Sequence, residues 1–126
     1  NDNAKKRAEK SMGQRLIDHQ AIAHKLAEMQ IRLEASRLLT YQAAWQADQG
    51  QRNTLQASVA KAYTSDAAMW AASEAIQVLG GMGYSTEYPV EKLLRDAKVL
   101  QIYEGTSEIQ RSIIAREMER NLAQGR

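Results

Sequence analysis

The sequence predicts an all-α fold, an antiparallel four-helix bundle, and three observations carry that reading. Apolar residues recur at helical spacing along most of the chain, and alternation of period two is nowhere sustained. Proline, which breaks helix interiors, occurs once in 126 residues, at Pro89. The breaks between periodic segments are short and polar or glycine-bearing, which suits antiparallel neighbours.

The first long helix is expected from about Arg15 to about Ala47. Ile22, Leu26, Met29 and Leu33 step by four, three and four, and Leu38, Tyr41 and Trp45 extend an apolar face. Trp45 and Trp70 read as core residues on this pattern. The polar, glycine-bearing run from Asp48 to Asn53 is a turn, and Asn53 can cap the next helix through its side-chain oxygen.

The second long helix follows, with Leu55, Val59, Tyr63, Ala67 and Trp70 on one face and many alanines between them. It is expected to end at Gly80-Gly81, where glycine can take a left-handed C-cap conformation. Met82 to Tyr88 form a connection, and Pro89 opens a third, shorter helix reaching about Ile102. A break at residues 103–106 precedes a fourth helix. Ser107 and Gln110 have capping-box spacing there, and Ile109 and Ile113 mark the expected buried face. The whole chain, 1–126, reads as a single domain, with residues 1–14 as the frayed remnant of a preceding helix.

Composition narrows the function classes. With 17 basic and 15 acidic residues the net charge is +2, so no single-sign field points to nucleic acid. There is no cysteine, which excludes disulfides, zinc ribbons and thiol nucleophiles. No apolar run approaches the ~18 residues of a membrane span. His19 and His24 are five apart, whereas metal-binding pairs on helices favour three or four, so they read as ordinary surface or packing histidines and no metal site is expected.

The chemically informative segment is Gln77 to Arg116. It holds Gln-x-x-Gly-Gly-x-Gly from Gln77 to Gly83, then Glu87, Lys92 and Asp96, then Tyr103-Glu104-Gly105-Thr106 followed by Ser107-Glu108-Ile109-Gln110-Arg111. These motifs resemble the acyl-CoA dehydrogenase family, in particular the carboxy-terminal helical domain of its medium- and short-chain members. Gln20-Ala21-Ile22, Lys25 to Met29, Ala43-Ala44-Trp45 and Ser58 to Ala62 carry the likeness across nearly the whole chain.

The resemblance implies an FAD-dependent α,β-dehydrogenation of acyl-CoA thioesters. Glu104 takes the place of the base that removes the α proton, a role that needs a carboxylate shielded enough for its pKa to rise. Gly105 falls where the backbone passes close to substrate. Thr106 and Glu108 match positions at the adenosine end of FAD, and Gln77, Gly80 and Gly81 match the site for the FAD of a neighbouring subunit. The implied partners are acyl-CoA, an electron-transferring flavoprotein and further copies of the chain. The implied compartment is the mitochondrial matrix or the bacterial cytoplasm.

The sequence also departs from the family. Glu108 stands where relatives often carry glutamine. In the family's Arg-x-x-Phe-Gly motif, Gly13 keeps the glycine, Met12 replaces the phenylalanine and Glu9 replaces the phosphate-binding arginine. The amino-terminal helical domain and middle β domain of the family have no counterpart in this sequence. These departures, with the lack of phenylalanine and the glutamines at Gln46, Gln49, Gln51 and Gln56, lead us to expect an excised and engineered domain that is inactive alone. A stand-alone structural bundle and a self-associating module are the competing readings.

Overall fold

The computed structural model describes residues 10, 11 and 13–125. Two short strands, β1 (Lys10–Ser11) and β2 (Gln14–Arg15), pair antiparallel, and a single 3-10 turn follows at Leu16–Asp18. Then come α1 (Gln20–Asp48), α2 (Thr54–Leu79), the one-turn α3 (Gly81–Tyr84), α4 (Val90–Leu100) and α5 (Ser107–Ala123). The four-helix reading holds, with α3 as an addition inside the connection expected at Met82–Tyr88. Most of the helical remnant expected at residues 1–14 lies outside the described residues, as do Glu9 and Met12.

Helix α2 is the common partner: α1, α4 and α5 all pack against it. Its composition explains why. Among the described residues the buried apolar side chains are all alanines, Ala43, Ala60, Ala62, Ala67 and Ala97, joined by the polar Ser58, Ser65, Ser107, Gln110 and Glu117. Small side chains let helix axes approach closely. Serine is tolerated in this seam because its hydroxyl can bond back to its own helix, as Ser65 does to the Lys61 carbonyl at 2.8 Å.

Several local expectations are corrected by this packing. Helix α1 begins at Gln20 rather than Arg15, because Arg15 is held in β2 and reaches Asp18 at 2.7 Å across the intervening turn. Trp45 is not core; it is 58% exposed, with Leu38 and Tyr41 exposed on the same helix. Trp70 is half-buried, under the Arg32 guanidinium at 4.2 Å from its ring centroid.

Asn53 occupies the cap position of α2 but has φ −119 and ψ 17, outside the extended conformation that side-chain capping requires. Its amide instead donates to the Ala43 carbonyl at 2.9 Å, fastening the turn to α1. Only Gly80 has positive φ at the end of α2, at φ 61 and ψ −140. This is a glycine region distinct from the left-handed cap, and it lets Gly81 start α3 at once. Pro89 sits one residue before α4, not within it.

At α5 the cap is Thr106, whose hydroxyl accepts from the Ile109 N–H at 3.3 Å. Ser107 is already helical and buried, so the Ser107–Gln110 capping box is displaced by one residue. Ile109 is 52% exposed. The face toward the bundle is Ser107, Gln110 and Glu117, with Ile113 half-buried.

Candidate active site

The segment from Gln101 to Thr106 joins α4 to α5, and its backbone carbonyls are drawn inward. The Lys61 ammonium, from α2, donates to the carbonyls of Leu100 at 2.9 Å, Tyr103 at 3.0 Å and Gly105 at 2.6 Å. The buried Gln110 amide adds longer bonds to the carbonyls of Glu104 at 3.3 Å and Gly105 at 3.4 Å. The Ser107 N–H donates to the Gln101 carbonyl at 2.9 Å and closes the loop.

Glu104 has φ 53, the one non-glycine residue with positive φ among the described residues. A left-handed glutamate is strained by its Cβ, so the surrounding bonds must hold it there. Its side chain is exposed on the surface of the bundle. Gly105 follows at φ 90, and a Cβ there would lie 2.7 Å from the Gln110 side-chain nitrogen. The positive φ favours glycine at this position, and a side chain there would also have to move the Gln110 amide off the loop carbonyls.

Asp66, about one and a half turns along α2 from Lys61, is the second anchor. It accepts from Gln101 at 2.7 Å, Ser107 at 3.5 Å and Arg111 at 2.6 Å. Burial pushes its carboxyl up, but the hydrogen bonds from Arg111 and Gln101 and the Arg111 charge outweigh that and hold it below the usual carboxylate range. Asp66, Lys98, Gln101, Thr106, Glu108 and Arg111 line a groove of about 440 Å³ beside the loop. The Glu108 carboxyl is also lowered, first by its own backbone N–H and then by the Thr106 hydroxyl.

The residues singled out in the sequence thus fall into two places. Glu104, Gly105, Thr106 and Glu108 are gathered on the α4–α5 loop and the start of α5. Gln77, Gly80 and Gly81 lie at the far end of α2, roughly 24 Å along the helix from Lys61 at 1.5 Å per residue. Gln77, Gly80 and Gly81 are all exposed. No group of three or more His, Cys, Asp or Glu side chains among the described residues could hold a metal, and no described helix is long and apolar enough to cross a membrane.

Comparison with known proteins decides the family. The family model for the acyl-CoA dehydrogenase C-terminal domain matches residues 3–119. The chain belongs to the acyl-CoA dehydrogenase family. It is 50% identical to cyclohexane-1-carbonyl-CoA dehydrogenase of Geobacter metallireducens over 93% of this chain and 31% of that protein. It is 51% identical to an acyl-CoA dehydrogenase of Bacillus subtilis, over 91% of this chain and 30% of that one. Among solved structures, butyryl-CoA dehydrogenase from Megasphaera elsdenii superimposes with a TM-score of 0.86 at 41% identity, covering 93% of this chain and 31% of that one. The chain therefore spans about a third of the length of these acyl-CoA dehydrogenases.

Within this acyl-CoA dehydrogenase domain, sequence reasoning missed Lys61, Asp66, Gln101, Gln110 and Arg111. One signal was available. Helix α2 carries only three charged residues, Lys61, Asp66 and Glu74, in an alanine-rich stretch of 26 residues. A charge in such a setting needs a partner, and all three have one, Glu74 being paired with Lys25 of α1.

Proposed function

We propose that the chain supplies the catalytic base of an FAD-dependent acyl-CoA dehydrogenase, with Glu104 as that base. The observation that carries this reading is the α4–α5 loop. Its carbonyls are turned in to Lys61 and Gln110, while Glu104, in a strained backbone conformation, is left facing outward. Strain held in place by a ring of hydrogen bonds is characteristic of functional positions.

In the reaction, a Glu104 carboxylate oxygen takes the α proton of the thioester, and the β carbon gives up a hydride, leaving an α,β-unsaturated acyl-CoA. FAD, when bound, is the hydride acceptor. Gly105 lets the backbone approach the substrate closely. Of the groups around the groove, the Thr106 hydroxyl, Lys98 and the first-turn N–H donors of α5 suit an anionic cofactor. Glu108, as an acceptor, suits a hydroxyl of its sugar rather than a phosphate. Gln77, Gly80 and Gly81 face a different flavin, that of a second subunit, because the length of α2 separates them from Glu104.

On its own the chain is expected to be inactive, since Glu104 is exposed and a base of this kind needs a dry surround. The exposed Leu38, Tyr41 and Trp45 of α1 favour coverage of that face by further polypeptide, including a second copy. Acyl-CoA and an electron-transferring flavoprotein are the partners of the complete enzyme, in a bacterial cytoplasm or mitochondrial matrix.

The test is exchange of the substrate α hydrogen with deuterated solvent, in a full-length dehydrogenase carrying this chain as its carboxy-terminal domain. Glu104→Gln should abolish exchange and flavin reduction while FAD absorbance is retained. Exchange at the unmutated rate in that variant would remove Glu104 from the role.

A further inference from the structure

We propose that Lys61 is a positioning residue for the Glu104 loop. By binding the carbonyls of Leu100, Tyr103 and Gly105, its ammonium holds Glu104 in the left-handed backbone conformation that displays the carboxylate. The inference rests on the reading of Glu104 as the base for its catalytic meaning, but not for its structural content.

Three carbonyl oxygens from the end of α4 and the following loop converge on one nitrogen, at 2.9, 3.0 and 2.6 Å. Their dipoles point toward a common centre and repel one another unless a cation sits there. An ammonium has three donors, and here each has an acceptor. A planar guanidinium has its donors in a fixed fork and cannot direct three of them to one such cluster. The Lys61 nitrogen also lies 5.9 Å from the Tyr103 ring centroid, near the outer limit of cation–π attraction.

The alternative anchor on the same loop is weaker. The Gln110 amide is neutral, and its bonds to the Glu104 and Gly105 carbonyls are longer, at 3.3 and 3.4 Å. Charge-assisted bonds are shorter and about twice as strong. Asp66 holds Gln101, Ser107 and Arg111, which flank the strained residue without touching it. Lys61 binds the Tyr103 carbonyl, which belongs to the peptide plane preceding Glu104, and the Gly105 carbonyl, one plane beyond the plane that follows it. It therefore clamps the loop on both sides of Glu104 and fixes the plane that sets φ, while the Glu104 carbonyl itself is held by the longer Gln110 bond.

The experiment has two arms. In the 126-residue chain, NMR reads amide hydrogen exchange and the Glu104 N–H to Hα coupling, which reports φ. Lys61→Met keeps the stem and removes the donors. It should speed exchange at Ser107 at least about tenfold and change the Glu104 coupling, while amides in the middle of α1 keep their rates. An unchanged coupling, or acceleration by one common factor throughout the chain, overturns the proposal. Should the variant not fold, the unmutated chain decides: scalar couplings across hydrogen bonds from the Lys61 side-chain nitrogen to the three carbonyl carbons are expected, and their absence overturns it.

The second arm uses the FAD-loaded full-length enzyme. Displacement of a catalytic group by about an ångström can cost on the order of a hundredfold. Lys61→Met should therefore lower kcat by tenfold or more, with KM for acyl-CoA within about twofold. An unchanged kcat sinks the catalytic part. Loss of exchange in Glu104→Gln is read separately, so failure of Lys61 and failure of the Glu104 assignment are distinguishable.

Discussion

The Arg111 guanidinium lies 2.6 Å from an Asp66 carboxylate oxygen, joining the middle of α2 to the first turns of α5 across the groove beside Thr106. The same carboxylate holds Gln101, so one side chain connects α2, the start of the α4–α5 loop and α5. The pair is well exposed, at 58% for Arg111 and 37% for Asp66, and solvent screens much of its Coulomb attraction.

Arg111→Met should accordingly destabilise the chain by only about 1 kcal/mol. Asp66→Ala should cost more, because Gln101 and Ser107 lose their acceptor together with Arg111. Urea unfolding midpoints of the two variants measure the difference, and equal losses would contradict the hub role of Asp66.

Stability should fall in acid. The carboxyls of Asp66 and Glu117 are both held below their ordinary values, Glu117 chiefly by its hydrogen bond from Arg52 at 2.6 Å. A lowered folded-state value means the unfolded chain binds protons first as pH drops. Their contribution is complete above the unfolded value of about 4 and is lost as pH falls through the lowered folded values. Thermal midpoints should therefore be flat with respect to these two groups down to about pH 5 and decline below pH 4. Asp66→Asn should make the decline shallower.

Two neighbouring glycines should respond oppositely to alanine. A Cβ at Gly83 would lie 2.7 Å from the Ile76 carbonyl oxygen and 2.9 Å from its Cα, so backbone must move. Gly83→Ala is expected to cost about 3 kcal/mol. At Gly81 a Cβ meets nothing within 4 Å and φ is not positive, so Gly81→Ala should be neutral or stabilising by up to about 1 kcal/mol. Paired thermal melts decide it. Loss of flavin affinity in Gly81→Ala of the full-length enzyme, without loss of stability, would further support a cofactor contact there.

Glu104→Asn should raise the melting temperature by a few degrees. Asparagine tolerates the left-handed region better than glutamate, and about 1 kcal/mol is worth roughly 4–8 °C in a domain of 60–100 residues and somewhat less in a longer one. The same change should remove activity from a full-length enzyme. A stabilised but inactive variant is the signature of a residue kept for function at the expense of stability. A melting temperature unchanged or lowered would argue that the loop imposes no strain at Glu104.

The helices were legible because spacing and breakers act locally. Leu55 to Trp70 and the Gly80-Gly81 break place α2, and Pro89 and Gly105 bracket α4. The inward faces were less legible. Spacing assigns bulky apolar side chains to the interior, yet Leu38, Tyr41 and Trp45 are outside while Ala43, between them in sequence, is buried. Where helices meet through alanine, there is no room inside for the larger stripe. The Glu104 segment was readable from its motif. The Lys61 contacts were not, because they span about forty residues of chain and end on backbone carbonyls, which no side-chain pattern announces.

The alanine-and-serine seam along α2 makes this bundle asymmetric toward amino-acid change. A core built from bulky side chains is injured by truncation, which leaves voids. Here the buried apolar positions have little left to trim, and an added methylene at Ala60, Ala62 or Ala67 must displace its packed surroundings. Tolerated variation should therefore run toward reshaping the outward apolar face of α1, while the interface that carries Lys61 and Asp66 stays confined to the smallest residues.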